Sequence, residues 1–123
     1  MIIVHDSTVV NASSGARTCL FVRGETSIEI GRCSLIAHSV DISTTDFHSV
    51  FDSNGIIMNA DQDVEIGEHV WIGKRVTINK GSVIPNDSVV GASSVVTKSF
   101  STPNVVIAGN PATVRKQNIC WSK

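Results

Sequence analysis

Aliphatic side chains recur every six residues through the middle of the chain. From position 66 onward they occupy Ile66, Ile72, Ile78, Ile84, Val90 and Val96, and the residue two places before each is Val or Ser. Successive side chains of a strand point to opposite faces, so each unit predicts a three-residue strand whose outer two side chains point inward and whose middle one points outward. The same phase is present upstream at 28–30, 34–36 and 40–42.

A residue suited to a sharp turn follows five of the six strands from position 64 onward. Gly67, Gly73, Asn79, Pro85 and Gly91 all occupy this position. Gly and Asn tolerate positive φ and Pro fixes φ, so every unit can end in a corner. Strand propensity alone does not separate a β-helix from a sandwich, but a sandwich has no reason to keep a six-residue phase. The pattern therefore predicts an all-β fold, a single-stranded parallel β-helix.

Composition agrees with a core built from strands in one domain spanning 1–123. The sequence has 17 Val and 14 Ile but only two Leu and no Tyr, and β-branched residues suit a pleated surface. Charged residues make up 17% of the chain and the net charge is -1. This balance gives no electrostatic reason to expect nucleic acid or an anionic membrane as the main partner.

Cysteine usage and the N-terminus predict a cytoplasmic protein. Cys19, Cys33 and Cys120 are odd in number and share no metal-ligand spacing, so free thiols in a reducing compartment are expected. The first residues, MIIVHDST, lack the basic and apolar regions of a signal peptide. No apolar run approaches the ~20 residues of a membrane span.

The pattern breaks at Asp46 and His48. The phase carried forward from Ile42 places an inward small residue at 46 and an inward aliphatic residue at 48. An unpaired carboxylate inside an apolar prism is costly, so either the chain leaves the prism here or the pair lies in a polar, partly open site. The segment that follows contains FDSNG and MNADQD, which predicts a protruding loop over about 48–63.

Several motifs resemble those of a known family. IGEHVW (66–71) and IGKRVT (72–77) resemble the hexapeptide repeat of left-handed β-helix acyltransferases. Together with DFH (46–48), VWIG (70–73), VVGASSVVTK (89–98) and AGNPA (108–112), they resemble acetyl-CoA-dependent O-acetyltransferases of the galactoside, maltose and surface-polysaccharide type. The resemblance covers roughly 28–116 and implies the left-handed sense of the helix, an end-cap over about 103–123, and a homotrimer with sites between subunits.

The resemblance also implies site residues. His48 would be the general base that takes the acceptor hydroxyl's proton, and Asp46 would orient it or fix its tautomer. For acetyl-CoA, the implied binding residues are Trp71, Lys74, Ala92, Thr97, Lys98 and Arg115. The acceptor would be a small hydroxyl-bearing molecule such as a saccharide, and no metal is expected. The outward valines at 83, 89 and 95 favour packing of several prisms side by side.

Other interpretations remain open at this stage. His48 could merely cap the loop, and Asp46 could bond backbone amides. The acceptor could be an antibiotic hydroxyl or an amine. Family members usually carry a longer N-terminal region with acceptor contacts, so a non-catalytic remnant is also conceivable. A carbonic anhydrase of the γ type needs a histidine pair five residues apart, which this sequence lacks. An ice-binding helix needs outward Thr ladders, and only Thr77 fits.

Overall fold

The structure is a computed structural model that describes residues 1–11 and 16–123, and its strands are short. They are β1 (Ile2–Val4), β2 (Val9–Val10), β3 (Cys19–Phe21), β4 (Ile28–Ile30), β5 (Leu35–Ile36), β6 (Asp41–Ser43), β7 (Val64–Ile66), β8 (Trp71–Ile72), β9 (Thr77–Ile78), β10 (Val83–Ile84), β11 (Val89–Val90), β12 (Val95–Val96), β13 (Val106–Gly109) and β14 (Ala112–Lys116). In this part of the chain there is no helix long and apolar enough to cross a membrane.

The strands form the three faces of a prism. Face A contains β1, β4, β7 and β10, face B contains β2, β5, β8, β11, β13 and β14, and face C contains β3, β6, β9 and β12. Within each face, strands from successive turns pair in parallel, with Trp71 beside Val89 and Thr77 beside Val95. Three strands per turn and parallel pairing confirm the predicted β-helix.

Inward side chains fill the prism with an aliphatic core. Ile30, Ile36, Ile42, Ile72 and Ile78 have no exposed surface. Where the phase places serine inward, the hydroxyl is hydrogen-bonded to the backbone, since a buried polar group without a partner is costly. For example, Ser34 Oγ donates to the carbonyl of Gly67 at 3.2 Å.

The hexad phase survives the break because the insertion equals one turn of the helix. Paired residues of the later turns are 18 apart, as in Glu65 and Val83. Across the break the spacing is 36, as in Asp41 and Thr77. A spacing of 36 is two turns of 18 residues, so the inward residues before and after the break stay in the same six-residue phase although the segment between them leaves the prism.

The β-helix begins earlier than the range 28–116 that the sequence motifs cover. β1 pairs with β4 at a spacing of 26, Ile2 lying beside Ile28, so this turn is out of phase with the hexads. Its strands form one edge of each face. Apolar side chains on this edge are accordingly exposed, Ile2 at 45% and Val10 at 46%.

An antiparallel pair closes the other end. β13 continues face B beside β11, and β14 folds back against β13. At this end Val105 and Ala112, the first residue of β14, are fully buried and Phe100 nearly so. The last turn is therefore shielded from solvent, as solenoid ends require.

Candidate functional site

The chain leaves the prism between Thr45 and Asp46, at the corner between faces C and A. Thr44 and Thr45 are still buried, whereas Asp46 and His48 are exposed. Of the two arrangements that the sequence left open at this break, departure from the prism is the correct one. The inward positions projected for 46 and 48 are wrong, because the last buried side chains of this turn are the two threonines.

Residues 46–63 form an arm that ends in a small hairpin. Phe51 and Ile57 pair antiparallel, and the carboxylate of Asp52 accepts the amides of Asn54 and Ile56 at 2.8 and 3.0 Å. The hairpin exposes Val50, Phe51, Ile56, Ile57 and Met58, at 48–67%. So many uncovered apolar side chains on one short segment mark an interaction surface.

Asn59 joins the two sides of the arm around His48. Its Nδ2 donates to the carbonyl oxygen of His48 at 2.9 Å and to Asp46 Oδ2 at 3.0 Å. Its Oδ1 accepts the amide of Val50 at 2.7 Å. One carboxamide thereby fixes the backbone on both sides of the histidine, a contact that the sequence analysis missed.

Lys80 anchors the arm to the next turn of the prism. Its Nζ lies 2.8 Å from Asp46 Oδ2 and donates to the carbonyls of Asn59 and Ala60 at 2.8 and 3.1 Å. The Lys80 ammonium, followed by the Asn59 amide, holds the pKa of Asp46 below its ordinary value of 3.8. The register rule could have found Lys80, since it lies 36 residues after Thr44 at the same corner.

The direct contact expected between Asp46 and His48 is not present in this chain. The carboxylate of Asp46 is hydrogen-bonded to Lys80 and Asn59 instead. This correction follows from charge, because an ammonium is a stronger partner for a carboxylate than a neutral imidazole. Asp46 therefore anchors the arm on which His48 lies.

His48 lines a small cleft of about 250 Å³ together with Asn59 and Asp61 of the arm. Arg23 lines the same cleft, and its Nη1 donates to the carbonyl of Phe47 at 2.6 Å. Phe47 in turn packs edge to face on Phe21, with ring centroids 5.3 Å apart. Arg23 and Phe21 of the first turn therefore hold the residues at which the arm leaves the prism.

Three of the predicted donor-binding residues lie along the corner between faces B and C. Lys74 and Ala92 occupy it in successive turns and are exposed. Gly73 lets these turns approach closely, because a Cβ there would be 2.8 Å from the amide nitrogen of Ala92. Arg115 completes the row, with its Nε bonded to the carbonyl of Ala108 at 3.0 Å.

Two more of the predicted donor-binding residues lie at a different corner. Thr97 and Lys98 follow β12, at the corner between faces C and A, and both are exposed. Lys98 Nζ lies 5.3 Å from the ring centroid of Phe100. His48 leaves the prism at this same corner, so face C separates these residues from Lys74, Ala92 and Arg115. One copy of the chain does not bring the two groups together.

Trp71 projects from face B, as predicted, and is 41% exposed. A second tryptophan, Trp121, lies beside it with ring centroids 6.0 Å apart. Trp121 also stacks on His69 at 4.0 Å. No repeat reaches the C-terminal residues, so the sequence pattern gave no signal for this neighbour.

A wider cleft of about 1040 Å³ runs along face A past Glu29, Glu65 and Glu68. None of the predicted site residues lines it. Among residues 1–11 and 16–123, no three His, Cys, Asp or Glu side chains converge as metal ligands would.

Comparison with known proteins finds a matching repeat family and several similar structures. The family model "Bacterial transferase hexapeptide (six repeats)" matches residues 63–98. The polysialic acid O-acetyltransferase OatWY is 39% identical, over 99% of this chain and 56% of its own, with a TM-score of 0.93. The polySia-specific acetyltransferase NeuO is 25% identical over 99% of this chain and 63% of its own, with a TM-score of 0.80.

Residues 63–98 of this chain therefore carry the hexapeptide repeat of bacterial transferases. A galactoside acetyltransferase solved in complex with coenzyme A is also similar, at 27% identity over 94% of this chain and 64% of its own, with a TM-score of 0.61. No curated protein sequence matches significantly. This hexapeptide-repeat protein therefore has the left-handed parallel β-helix that the resemblance implied. It spans 56% and 63% of the lengths of OatWY and NeuO.

The anchoring of the arm in this hexapeptide-repeat protein predicts a specific pH dependence. The pKa of Asp46 is lowered by Lys80 and Asn59, so the pairing stabilises the arm fully above pH 3.8 and is lost as the pH falls through the folded pKa. We expect protection of the Val50 and Met58 amides from hydrogen exchange, corrected for intrinsic rates, to be constant between about pH 7 and 5 and to fall below about pH 3.8.

The variant Asp46→Asn should have lower protection at neutral pH and no acid step. Asp6→Asn, an exposed carboxylate on the first turn, is the control and should keep the wild-type profile. An acid step that persists in Asp46→Asn would contradict the assignment.

Proposed function

We propose that this protein is an acetyl-CoA-dependent O-acetyltransferase that acts on a hydroxyl of a saccharide, with His48 as the general base. The observation that carries the proposal is the agreement with a polysialic acid O-acetyltransferase at a TM-score of 0.93 over 99% of this chain. The galactoside acetyltransferase with coenzyme A supports the donor. The exposed histidine on a braced arm supports the role of the base.

The chemistry requires one group that both takes and returns a proton. The His48 imidazole accepts the proton of the acceptor hydroxyl while that oxygen attacks the thioester carbonyl of acetyl-CoA. The carbon–sulfur bond then breaks, the acetyl group stays on the oxygen, and the imidazolium returns its proton to the departing thiolate. Transfer is direct, so no enzyme nucleophile is needed.

Asn59 and Lys80 hold the base in place. Asn59 fixes the backbone at His48, and Lys80 holds both ends of the arm, through the contacts at 2.8–3.1 Å described above. A catalytic side chain on a long segment needs such bracing, because a small displacement lowers the rate strongly. Asp46 contributes as an anchor of the arm.

Acetyl-CoA would lie along the corner between faces B and C of one copy. Lys74 and Arg115 are exposed cations there that suit phosphate groups. The turns approach closely at Gly73 and Ala92, and the pantetheine chain of acetyl-CoA would follow the narrow path beside them. Trp71, beside this corner on face B, would cover the thioester end with an apolar wall.

The second group of residues would come from a neighbouring copy in a homotrimer. His48, Thr97 and Lys98 lie at the corner between faces C and A, beyond face C from Lys74. When prisms pack side by side, the corner between faces C and A of one copy can lie opposite the corner between faces B and C of its neighbour. The exposed apolar hairpin of the arm would be covered by the neighbouring subunit, as would the half-exposed outward valines at 83, 89 and 95.

The cytoplasm is the compartment we propose, because acetyl-CoA is the donor and the three cysteines are free thiols. The function as a whole is tested by acetyl transfer itself. Thiol release from acetyl-CoA should depend on the presence of a saccharide acceptor.

A further inference from the structure

The C-terminal segment runs back over the corner between faces A and B. Residues Ser7, Cys33, His69, Asp87 and Asn104 form this corner, each with φ between 52° and 61°. The Ile119 amide donates to the Asn104 carbonyl at 3.0 Å, and Lys123 Nζ donates to the Ser7 carbonyl at 3.1 Å. The segment is therefore tied at both ends, and Trp121 lies between the two ties.

Trp121 is fixed by a hydrogen bond and a stack. Its indole Nε1 donates to the His69 carbonyl at 2.8 Å. Its ring lies on the His69 ring at 4.0 Å with an interplanar angle of 6°. His69 covers one face of the indole, Trp121 is only partly buried, and Trp71 lies beside it.

Two indoles held side by side offer a flat apolar surface with polar groups at its edge. The rings meet at 42°, so together they form an angled surface and not a closed cage. At the edge, His69 Nδ1 lies 3.0 Å from Asp87 Oδ1, and the Asp87 side chain is 49% exposed. Pyranose rings stack their apolar face on indole while their hydroxyls bond to carboxylate and imidazole groups.

We propose that Trp121 and Trp71 form a saccharide-binding subsite that holds sugar rings of the acceptor next to the one that is acetylated. The proposal rests on the proposed function and adds Trp121 to it. Trp71 lies between this subsite and the corner of Lys74 and Ala92, so it stands where donor and acceptor must meet for transfer.

Charge favours a saccharide over coenzyme A as the ligand at Trp121. The corner beside it carries the exposed carboxylates of Asp87 and Glu68, and Glu68 has its own partner in Arg32 at 3.5 Å. Carboxylates repel the phosphates of coenzyme A but accept hydrogen bonds from hydroxyls. The cations suited to phosphate, Lys74 and Arg115, lie at another corner.

Kinetics with acceptors of different length test the subsite. We expect Trp121→Ala to raise the KM for a tetrasaccharide acceptor about tenfold, while the KM for the corresponding monosaccharide and for acetyl-CoA and the kcat change by about twofold or less. Trp121→Phe should recover most of the loss because it keeps a flat ring. Lys123→Ala removes the hydrogen bond from Lys123 to the Ser7 carbonyl but keeps both indoles, so it should leave the tetrasaccharide KM unchanged.

The proposal is overturned if Trp121→Ala leaves the tetrasaccharide KM unchanged, or raises the KM for acetyl-CoA as much. It is also overturned if Lys123→Ala reproduces the loss, since the effect would then come from the position of the segment and not from the indole.

Binding without turnover separates this proposal from the proposed function. The chain has two tryptophans, so Trp121→Phe and Trp71→Phe each leave one fluorescent indole. Maltotetraose, which is neutral, and a sialic acid tetramer, whose carboxylates the same acidic corner would repel, serve as probes and are added without acetyl-CoA. Quenching or a spectral shift of both indoles by at least one probe is expected. If this occurs while no acetyl transfer is found, the proposed function fails and the subsite stands. No change of either indole with either probe at millimolar concentration overturns the subsite.

Discussion

We expect His48→Ala to lower the kcat for acetyl transfer about 10²- to 10⁴-fold, the range that loss of a general base produces. The KM for acetyl-CoA should change little, because Lys74, Ala92 and Arg115, along which the donor is proposed to lie, are at a different corner of the prism from His48. His48 is exposed, so its truncation should not lower the melting temperature. Steady-state rates of thiol release and a circular dichroism melt measure both quantities.

His5→Ala is the matched control for this variant. His5 is also exposed, and its Nε2 lies 2.8 Å from Glu29 Oε1 on face A, away from the arm. It should retain the wild-type kcat. Full activity in His48→Ala, or an equal loss in His5→Ala, would show that His48 is not the base.

We expect two inactive variants to restore activity when they are assembled together. His48→Ala removes the proposed general base at the corner between faces C and A. Ala92→Trp places a bulky side chain at an exposed position of the corner between faces B and C, where it would block acetyl-CoA. If each site takes one corner from each of two neighbouring copies, random mixing leaves about a quarter of all sites intact, and about a third of the sites in the trimers that carry both variants. Co-expression with two affinity tags, followed by tandem purification and activity measurement, tests this expectation.

Each variant expressed alone should show only background activity. Wild type co-expressed with either variant provides the upper reference. Co-purification of both tags without any recovered activity would place the complete site within one copy. Failure of the two tags to co-purify, with sedimentation as a monomer at micromolar concentration, would contradict the homotrimer itself.

The prism could be predicted closely from the sequence because its core repeats a single physical rule. Every inward aliphatic residue from Ile28 to Val96 obeys the six-residue phase, and the outward position of Trp71 follows from it. The inserted arm did not disturb this rule because its length equals one turn. The six-residue phase did not reveal the first turn, because Ile2 pairs with Ile28 and their spacing of 26 residues is not a multiple of six.

The site could be predicted only in part, because its contacts depend on side chains that no repeat positions. Asp46 and His48 were singled out by the break, but their partners depend on how the arm folds back. Asn59 reaches them across the hairpin, and Trp121 reaches Trp71 from beyond the last repeat. Such contacts between distant parts of the chain leave no periodic signal in the sequence.

Acetyl transfer to a saccharide tests the central claim most directly. The purified protein is incubated with acetyl-CoA and a panel of sugars, oligosaccharides and hydroxyl-bearing antibiotics, thiol release is followed, and the products are examined by mass spectrometry. The account predicts thiol release that depends on a saccharide, with one acetyl ester on the sugar product. Acetylation of antibiotics alone, acetylation of an amine, or no transfer to any acceptor by protein that binds acetyl-CoA would contradict it.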